Sequence, residues 1–437
     1  MDNFVFKHPI ISIVLALTAI IAFLFVQDEE PSQAYLDLMK TEEVTEEEWL
    51  NFQKLASVHI NSDYPVNIYQ KFLSEYISSD RKDFLIQDFN ILEKNNLILT
   101  PNFDYQKYCA NIHEEKADFY CIDEIISKKE EVSNDLRENK KLLDAIRSTQ
   151  GIEKARVDYS KFNTSQFDIN SILFRPNLPF AQNHQLVVFD ALLRVIEQSN
   201  DQKYCEEEYI LPLNAQVERL KHANHFWYWA HNYIELANRI EMLNYLINKK
   251  PELIKCFQKL TQNNIEILLG LDNSLRNEYH TLIKQTQSIF NETPWYKSIL
   301  IKPIKTNNQF AQMYISRIKV NNRNPFIQTV QQKYEGNSFR NWNNPFGALI
   351  LELNTSISSS FFRLRAAINV AKLNLLSALI SYKKCLYENN NECESIVYSY
   401  KDPFLSLEPI INQEENTLSY KYPKRNGEFE VVSVYLN

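Results

Sequence analysis

Three side chains that can ligate a divalent metal ion follow one another near the middle of the chain. Glu218, His222 and His225 stand at positions i, i+4 and i+7, which share one face of an α-helix. Imidazole and carboxylate groups suit zinc or iron, so a helix over this segment would carry a candidate metal site. The pattern is not H-E-x-x-H, because no general base lies between the two histidines. The alternative, which we favour, is a packed helix with its histidines at the polar margin.

The residues that follow are strongly aromatic. Trp227, Trp229 and Tyr233 belong to a run that also contains Phe226 and Tyr228. Aromatic rings have apolar faces that can line a groove for a sugar or a peptide. Because aromatic residues make up 13% of the whole chain, core packing is the simpler interpretation of this run.

The glycine content excludes several phosphate-binding and nucleophile loops. The 437 residues include five glycines, and no two of them lie close together. The loops G-x-G-x-x-G, G-x-x-x-x-G-K-[ST] and G-x-S-x-G each need glycine at fixed positions, so none of them is present. No motif indicates a cofactor. A net charge of −8 without a strong basic cluster argues against nucleic acid as a partner.

The elements that must position these side chains are mainly helical. Thr45 to Glu48 form a capping box that opens a helix. Apolar residues at helical spacing predict long helices, which suit a bundle of packed antiparallel pairs, at about 182–198, 211–247, 250–269, 272–290 and 345–386. Shorter helices are predicted at about 66–79, 82–95 and 308–318, and a helical stretch at 118–149 is predicted to be interrupted around Ser127 to Glu131.

The last segment of the chain changes to strand-like residues. Residues 417–420 and 429–435 are rich in Val, Tyr, Thr and Phe. Asn426-Gly427 between them is the preferred pair for a type I′ turn. The pattern predicts a C-terminal β-hairpin docked on the bundle.

The N-terminus contains a long apolar segment. Pro9 to Val26 carry no charge, and 18 residues of helix span about 27 Å, close to the ~30 Å of a bilayer core. The segment ends without the small residues of a signal-peptide cleavage site. An uncleaved membrane anchor is therefore favoured over a cleaved signal or a buried core helix. Lys7 precedes the segment and acids follow it, so the N-terminus is expected in the cytoplasm and the body in the bacterial periplasm.

Six cysteines agree with an oxidising compartment. Cys109 and Cys121 are close in sequence, as are Cys385 and Cys393, and each pair can close a short loop. Cys205 and Cys256 are what remains, and their pairing is the least certain. Metal binding by cysteine is disfavoured because no C-x2-C occurs, and six buried free thiols remain the cytosolic alternative.

Together these patterns predict a mainly α protein with a transmembrane helix, a soluble multi-helix bundle and a small C-terminal β-hairpin. The expected division is a cytoplasmic stub (1–8), an anchor (9–26), an acidic linker (27–44), a helical periplasmic domain (45–400, with a sub-boundary near 151–181 left open) and a hairpin segment (401–437).

Several motifs resemble a broad group of proteobacterial membrane-anchored, mainly helical envelope proteins. They are the anchor, the paired cysteines, the Asn343-Asn344-Pro345-Phe346-Gly347 entry to a long helix and the Asp402-Pro403-Phe404 segment before a terminal hairpin. The resemblance implies a place in the envelope and supplies no catalytic residues.

The expected function is a non-enzymatic protein-interaction or envelope-associated module, with the membrane and another envelope protein as its expected partners. Two alternatives remain open. A metal-dependent envelope hydrolase would use Glu218, His222 and His225, with the Trp227 and Trp229 region as the substrate wall. A lipid or small-ligand sensor would use a pocket in the bundle.

Overall fold

A computed structural model describes most of the helical body. It describes Ile11 and residues 13–19, 28–40, 43–56, 117–158, 180–197, 201–260, 264–292, 302–321, 325–326, 359–388, 392–424 and 427–436. The predicted helices at 66–79 and 82–95, the predicted Cys109–Cys121 pair and residues 345–358 of the predicted long helix lie outside this description.

The described residues are mostly helical, with a small sheet at the C-terminal end, as predicted. The helices are α1 (Gln33–Met39), α2 (Glu46–Ala56), α3 (Ala117–Ser127), α4 (Lys129–Glu138), α5 (Lys140–Arg147), α6 (Phe180–Glu197), α7 (Gln202–Cys205), α8 (Leu211–His222), α9 (Phe226–Lys249), α10 (Ile254–Phe257), α11 (Ile267–Glu292), α12 (Pro303–Asn321), α13 (Ser359–Tyr387) and α14 (Cys393–Tyr398). A π-helical turn, Glu206–Ile210, joins α7 to α8.

One large hydrophobic core runs through the body, with α9 and α13 at its centre. Helix α9 packs against α6, α8, α11 and α13. Leu236 and Leu243 on α9, and Ala371, Leu375 and Leu379 on α13, are completely buried. The apolar spacing that predicted a central core helix is confirmed over the described part of α13.

The N-terminal capping box of α2 forms as predicted. The Thr45 hydroxyl accepts the Glu48 N–H at 3.2 Å, and the Glu48 carboxylate accepts the Thr45 N–H at 3.0 Å. Trp49 and Phe52 on this helix are buried in the main core.

Two of the predicted helices are wrong. The segment predicted as one helix at 211–247 is broken between α8 and α9. In the segment at 250–269 the described residues form a 3₁₀ turn at Pro251–Leu253, the single turn of α10, a second 3₁₀ turn at Asn264–Glu266 and the start of α11 at Ile267.

The predicted hairpin is present and is extended by a third strand. Strands β1 (Ile410–Asn412), β2 (Thr417–Pro423) and β3 (Phe429–Tyr435) form an antiparallel sheet in the order β1-β2-β3. In the β2–β3 turn Gly427 has φ +80°, a conformation that glycine adopts without strain. One face of the sheet packs on α13 through buried Leu418, Tyr420, Tyr422, Val432 and Val434.

Among the described helices, one has the length and composition to cross a membrane, and it is not the predicted anchor. It is Phe362–Tyr387, which forms most of α13 and is largely buried. Of the predicted anchor, Ile11 and residues 13–19 are described; they are helical and their side chains are exposed. The anchor at 9–26 therefore stays a prediction.

Helices α8 and α11 approach each other closely at Gly270. The helix predicted at 272–290 starts earlier, at Ile267, so Gly270 lies inside α11. A Cβ atom placed there would lie 1.8 Å from the backbone oxygen of Leu220 on α8. Glycine is required at this position because any side chain would push the two backbones apart.

Replacing Gly270 by Ala should destabilise the body by about 2–4 kcal/mol, since a backbone clash cannot be relieved by a side-chain rotation. Chemical unfolding of the purified protein measures the change. Gly151→Ala is the matched control, because a methyl group added at Gly151 would have no neighbouring atom within 4 Å. Equal stabilities for the two variants would contradict the close approach.

Candidate functional site

The predicted metal ligands lie on two different helices. Glu218 and His222 are on α8, with the Glu218 carboxylate 3.7 Å from His222 Nε2. His225 instead precedes α9 and is almost completely buried. Its Nδ1 accepts the backbone N–H of Tyr228 at 3.4 Å, so the imidazole acts as the N-cap of α9.

This geometry does not form the predicted metal site. Across the described parts of the chain, no three His, Cys, Asp or Glu side chains lie close enough together to hold a metal ion. The prediction that Glu218, His222 and His225 share one helical face was wrong because the helix ends between His222 and His225. Burial lowers the pKa of His225 to about 3, so its ring is neutral at pH 7.

Asn224 lies in the break between α8 and α9, and its hydrogen bonds explain why the helix is broken at this point. Its side-chain amide exchanges two hydrogen bonds with the backbone of Val157, each 2.8 Å long. Its backbone oxygen accepts a third bond from the side chain of Asn277 on α11. These contacts need an extended connection, and they come from residues 67 and 53 positions away in the chain.

The aromatic run packs in the core and does not line an open groove at its described positions. Trp229 is completely buried, and its indole N–H donates to the backbone oxygen of Ile267 at 3.3 Å. The Tyr233 ring stacks on Trp229 with centroids 5.2 Å apart, and Phe226 meets Phe362 edge-on at 5.0 Å. The side chain of Trp227 lies outside the description. The groove interpretation is wrong for Trp229.

A network of buried polar side chains, which we call the polar seam, runs between α8 and α9 and was not predicted from the sequence. The Gln216 amide donates to the backbone and side-chain oxygens of Asn232 at 2.7 and 2.9 Å. Arg219 donates to Asn232 Oδ1, to the backbone oxygen of Ile152 and to the Gln216 side chain. All three side chains that form this network are buried. Their bonds fix the relative register of the two helices.

The seam continues at a buried ion pair. Arg239 is completely buried, and its Nε donates to the Glu235 carboxylate at 3.0 Å. The Tyr209 hydroxyl donates to the backbone oxygen of Arg239, and the guanidinium lies 6.0 Å from the Tyr209 ring centre. These groups bind one another, which gives the seam a positioning role in the core.

Two disulfide bonds brace the described body. Cys385 and Cys393 have their sulphur atoms 2.04 Å apart, which agrees with the predicted short loop between helix ends. The sulphur atoms of Cys205 and Cys256 are 2.08 Å apart and join α7, which precedes α8, to α10, which follows α9. The predicted disulfide between Cys109 and Cys121 lies outside the described residues.

Sequence analysis predicted a solvated acidic linker at 27–44, but residues 28–40 are built into the fold. We call residues 28–40 the strap. The Asp28 carboxylate accepts the backbone N–H groups of Ile304 and Lys305, at 2.8 and 3.0 Å. These N–H groups belong to the first turn of α12, where the helix itself supplies no acceptor and negative charge is favoured.

Asn308 on the next turn of α12 holds the backbone of the strap. Its amide nitrogen donates to the Glu30 backbone oxygen at 2.8 Å. Its amide oxygen accepts the Ser32 N–H, also at 2.8 Å. The Lys305 ammonium lies 3.6 Å from the Glu29 carboxylate. The first residues of the strap are therefore fixed by both backbone and side-chain contacts.

Helix α1 completes the strap and lies across α11 and α12. Tyr35 and Leu38 are buried in a second, smaller hydrophobic cluster with Tyr279, Ile283 and Phe310. The residues of this cluster on α11 and α12 form the socket of the strap, which also includes Ala311 and Met313.

Both ends of α1 are satisfied. The Ser32 hydroxyl accepts the Tyr35 N–H at the start of the helix. At the C-terminal end of α1, Arg276 on α11 donates to the backbone oxygens of Asp37 and Lys40 at 2.8 and 2.9 Å. A cation at a helix C-terminus is the favourable arrangement of charge.

The strap could have been suspected from one local signal. Lys302-Pro303 reads as a helix start with Pro at the first position, but a lysine side chain cannot accept the N–H groups of the first turn. A helix that starts without its own cap needs an acceptor from elsewhere. Which acid supplies it is not encoded locally, because Asp28 is 276 residues away from Ile304.

Comparisons with protein-family models, with curated proteins and with solved structures find no match to this chain. The best-formed candidate is the strap in its socket, because it joins the predicted anchor to the body.

Asp28→Ala should lower the unfolding free energy by about 1–2 kcal/mol, because two N–H groups of α12 lose their acceptor. It should also expose the strap to limited proteolysis. Glu30→Ala is the control, since it removes the same charge from an exposed side chain two residues away. If both variants lose the same stability, the effect is one of net charge and the capping role is refuted.

Acid should destabilise the body through its buried neutral histidines. Burial lowers the pKa of His225 to about 3, and burial together with Lys284 and Arg276 lowers that of His280 to about 4. The unfolded chain takes up these protons near pH 6.5 and the folded chain does not, so stability falls as pH drops below 6.5.

His225→Asn keeps a cap acceptor and removes one titrating group. The loss of unfolding free energy between pH 7 and pH 5 should shrink by about 2 kcal/mol relative to the parent protein. Urea unfolding of the parent protein and of His225→Asn at the two pH values measures the difference, and an equal loss in both proteins would contradict the assignment.

Proposed function

We propose that this chain is a single-pass envelope protein whose helical body binds a partner protein close to the membrane surface and performs no catalysis itself. The predicted anchor ends at Val26, and the strap enters the body at Asp28. Two residues of extended chain span at most about 7 Å. The start of α12 would then lie next to the lipid headgroups.

The strap is the observation that carries this proposal. A flexible tether would let a body of this size turn freely and sample many orientations. The contacts of Asp28, Asn308 and α1 instead hold the first residues after the predicted anchor in place on the body. A body mounted in this way presents one fixed surface to whatever lies beside it in the membrane. The Cys205–Cys256 and Cys385–Cys393 disulfides agree with an exported body.

Cell fractionation and thiol labelling test the location. The full-length chain, expressed in bacterial cells, should sediment with membranes and resist alkaline extraction, and its four described disulfide cysteines should resist alkylation in intact cells. A soluble chain, or cysteines that alkylate without a reductant, would contradict the proposed location.

In-cell crosslinking of the full-length chain tests the binding role. A flexible Gly-Ser spacer inserted between Gln27 and Asp28 leaves every strap contact intact but releases the body from its fixed mounting. If a defined surface is presented to an envelope partner, the adduct of the parent protein should weaken several-fold in the spacer variant. An adduct that is insensitive to the spacer, or no reproducible adduct, would contradict the proposed role.

A further inference from the structure

Strand β3 is an edge strand, and its hydrogen-bonding pattern determines which of its groups face outward. The Leu436 N–H donates to the Asn416 oxygen at 2.9 Å, and the Lys424 N–H donates to the Glu428 oxygen at 2.8 Å. With the register Leu418 to Val434, even-numbered residues of β3 bond to β2. The N–H and C=O groups of its odd-numbered residues therefore point away from the sheet.

The protein closes this edge at one end only. At Tyr435 the backbone N–H and C=O lie 3.1 and 3.2 Å from the side-chain amide of Asn244, in the orientation that satisfies both groups. Asn248 donates to the same Tyr435 oxygen at 3.0 Å. The next outward residues, Ser433, Val431 and Phe429, have no corresponding contact among the described residues, and β3 has no strand beyond it in the described sheet.

The open part of the edge is also apolar. Phe429 and Val431 are 56% and 52% exposed, on the face of the sheet opposite α13. Edge strands are usually protected by a proline, a bulge or an outward charge. Between Phe429 and Tyr435 the one charged residue is Glu430, which is paired with Lys424 at 2.6 Å. Its backbone groups point toward β2 and not toward the open edge.

We infer that β3 pairs with β3 of a second copy of this chain, in antiparallel orientation and centred on Val431. This register places Val431 opposite Val431 of the other copy. Phe429 of each copy lies opposite Ser433 of the other, which makes three pairs. All three consist of outward-pointing residues, so each pair exchanges two hydrogen bonds and six form in total. The result is one six-stranded sheet shared by two chains.

The number of hydrogen bonds and the absence of facing like charges favour a second copy in this register. Centring the pairing on Glu430 or Val432 instead leaves two outward-facing pairs and four hydrogen bonds. Centring it on Ser433 would require Tyr435, whose backbone is already bound. In the chosen register Glu430 lies opposite Val432, so no two like charges face each other across the interface. The edge is thus complementary to itself.

The pairing does not depend on the location proposed above, because it uses the C-terminal sheet alone. It is therefore tested on the purified full-length chain in detergent. Analytical ultracentrifugation should give a dimer mass for the parent protein.

Val431→Pro should convert the dimer to a monomer. Proline at an outward edge position removes an N–H that β2 does not use, so the sheet itself keeps its bonds. Lys421→Ala is the matched control, because Lys421 lies opposite Val431 on the inner strand β2 and should leave the mass unchanged. A monomeric parent protein, or a Val431→Pro variant that stays dimeric, would overturn the inference.

Cysteine crosslinking tests the register. In the inferred dimer the two Val431 Cα atoms are about 5.5 Å apart, within disulfide range, so Val431→Cys should crosslink on mild oxidation. The two Ser433 positions are offset by four residues, about 13 Å, so Ser433→Cys should not. Equal crosslinking of both variants would indicate random contact, and crosslinking of Ser433→Cys alone would replace this register with another.

Discussion

The first backbone N–H groups of helix α12 have no hydrogen-bond acceptor within the helix, and the carboxylate of Asp28 accepts hydrogen bonds from two of them. Unpaired N–H groups at a helix start are costly when they are shielded from water, so a second segment must supply the acceptor. That requirement brings residues 28–32 to α12, where Asn308 holds their backbone. Helix α1 then covers the socket on α11 and α12, and the apolar side chains of the three helices together form the second hydrophobic cluster.

Amide side chains do much of the positioning elsewhere in this glycine-poor chain. Asn224 pairs with the backbone of Val157 as a neighbouring strand would, and Asn232 links α8 to α9 through Gln216 and Arg219. Asn374 on α13 donates to the Lys401 backbone and to the Tyr420 hydroxyl, which attaches the C-terminal sheet to the core. An amide offers both a donor and an acceptor, so one residue can satisfy two backbone groups.

The parts of the fold that follow from local patterns could be predicted. The capping box at Thr45, the helix at Phe180–Glu197, the core helix α13 and the hairpin around Gly427 each carry a short-range signal. The break at Asn224 could not be predicted, because its cause is a contact with Val157. The metal interpretation depended on an unbroken helix and was lost with it, and the groove interpretation fails at Trp229 because its ring is buried in the core. Asp28 looked like a solvated charge, since nothing near it in the sequence points to residue 304.

The long separation of the strap from its socket has a consequence for biosynthesis. Asp28 leaves the ribosome early, and the N–H groups that it must bind are made 276 residues later. At about 5–20 residues per second the first residues of the strap wait roughly 15–55 s for their partner. Throughout that interval Tyr35 and Leu38 have no socket to bury them. The N-terminal segment therefore joins the body as a late step of folding, and chaperone protection of the nascent N-terminus matters most before α12 is complete.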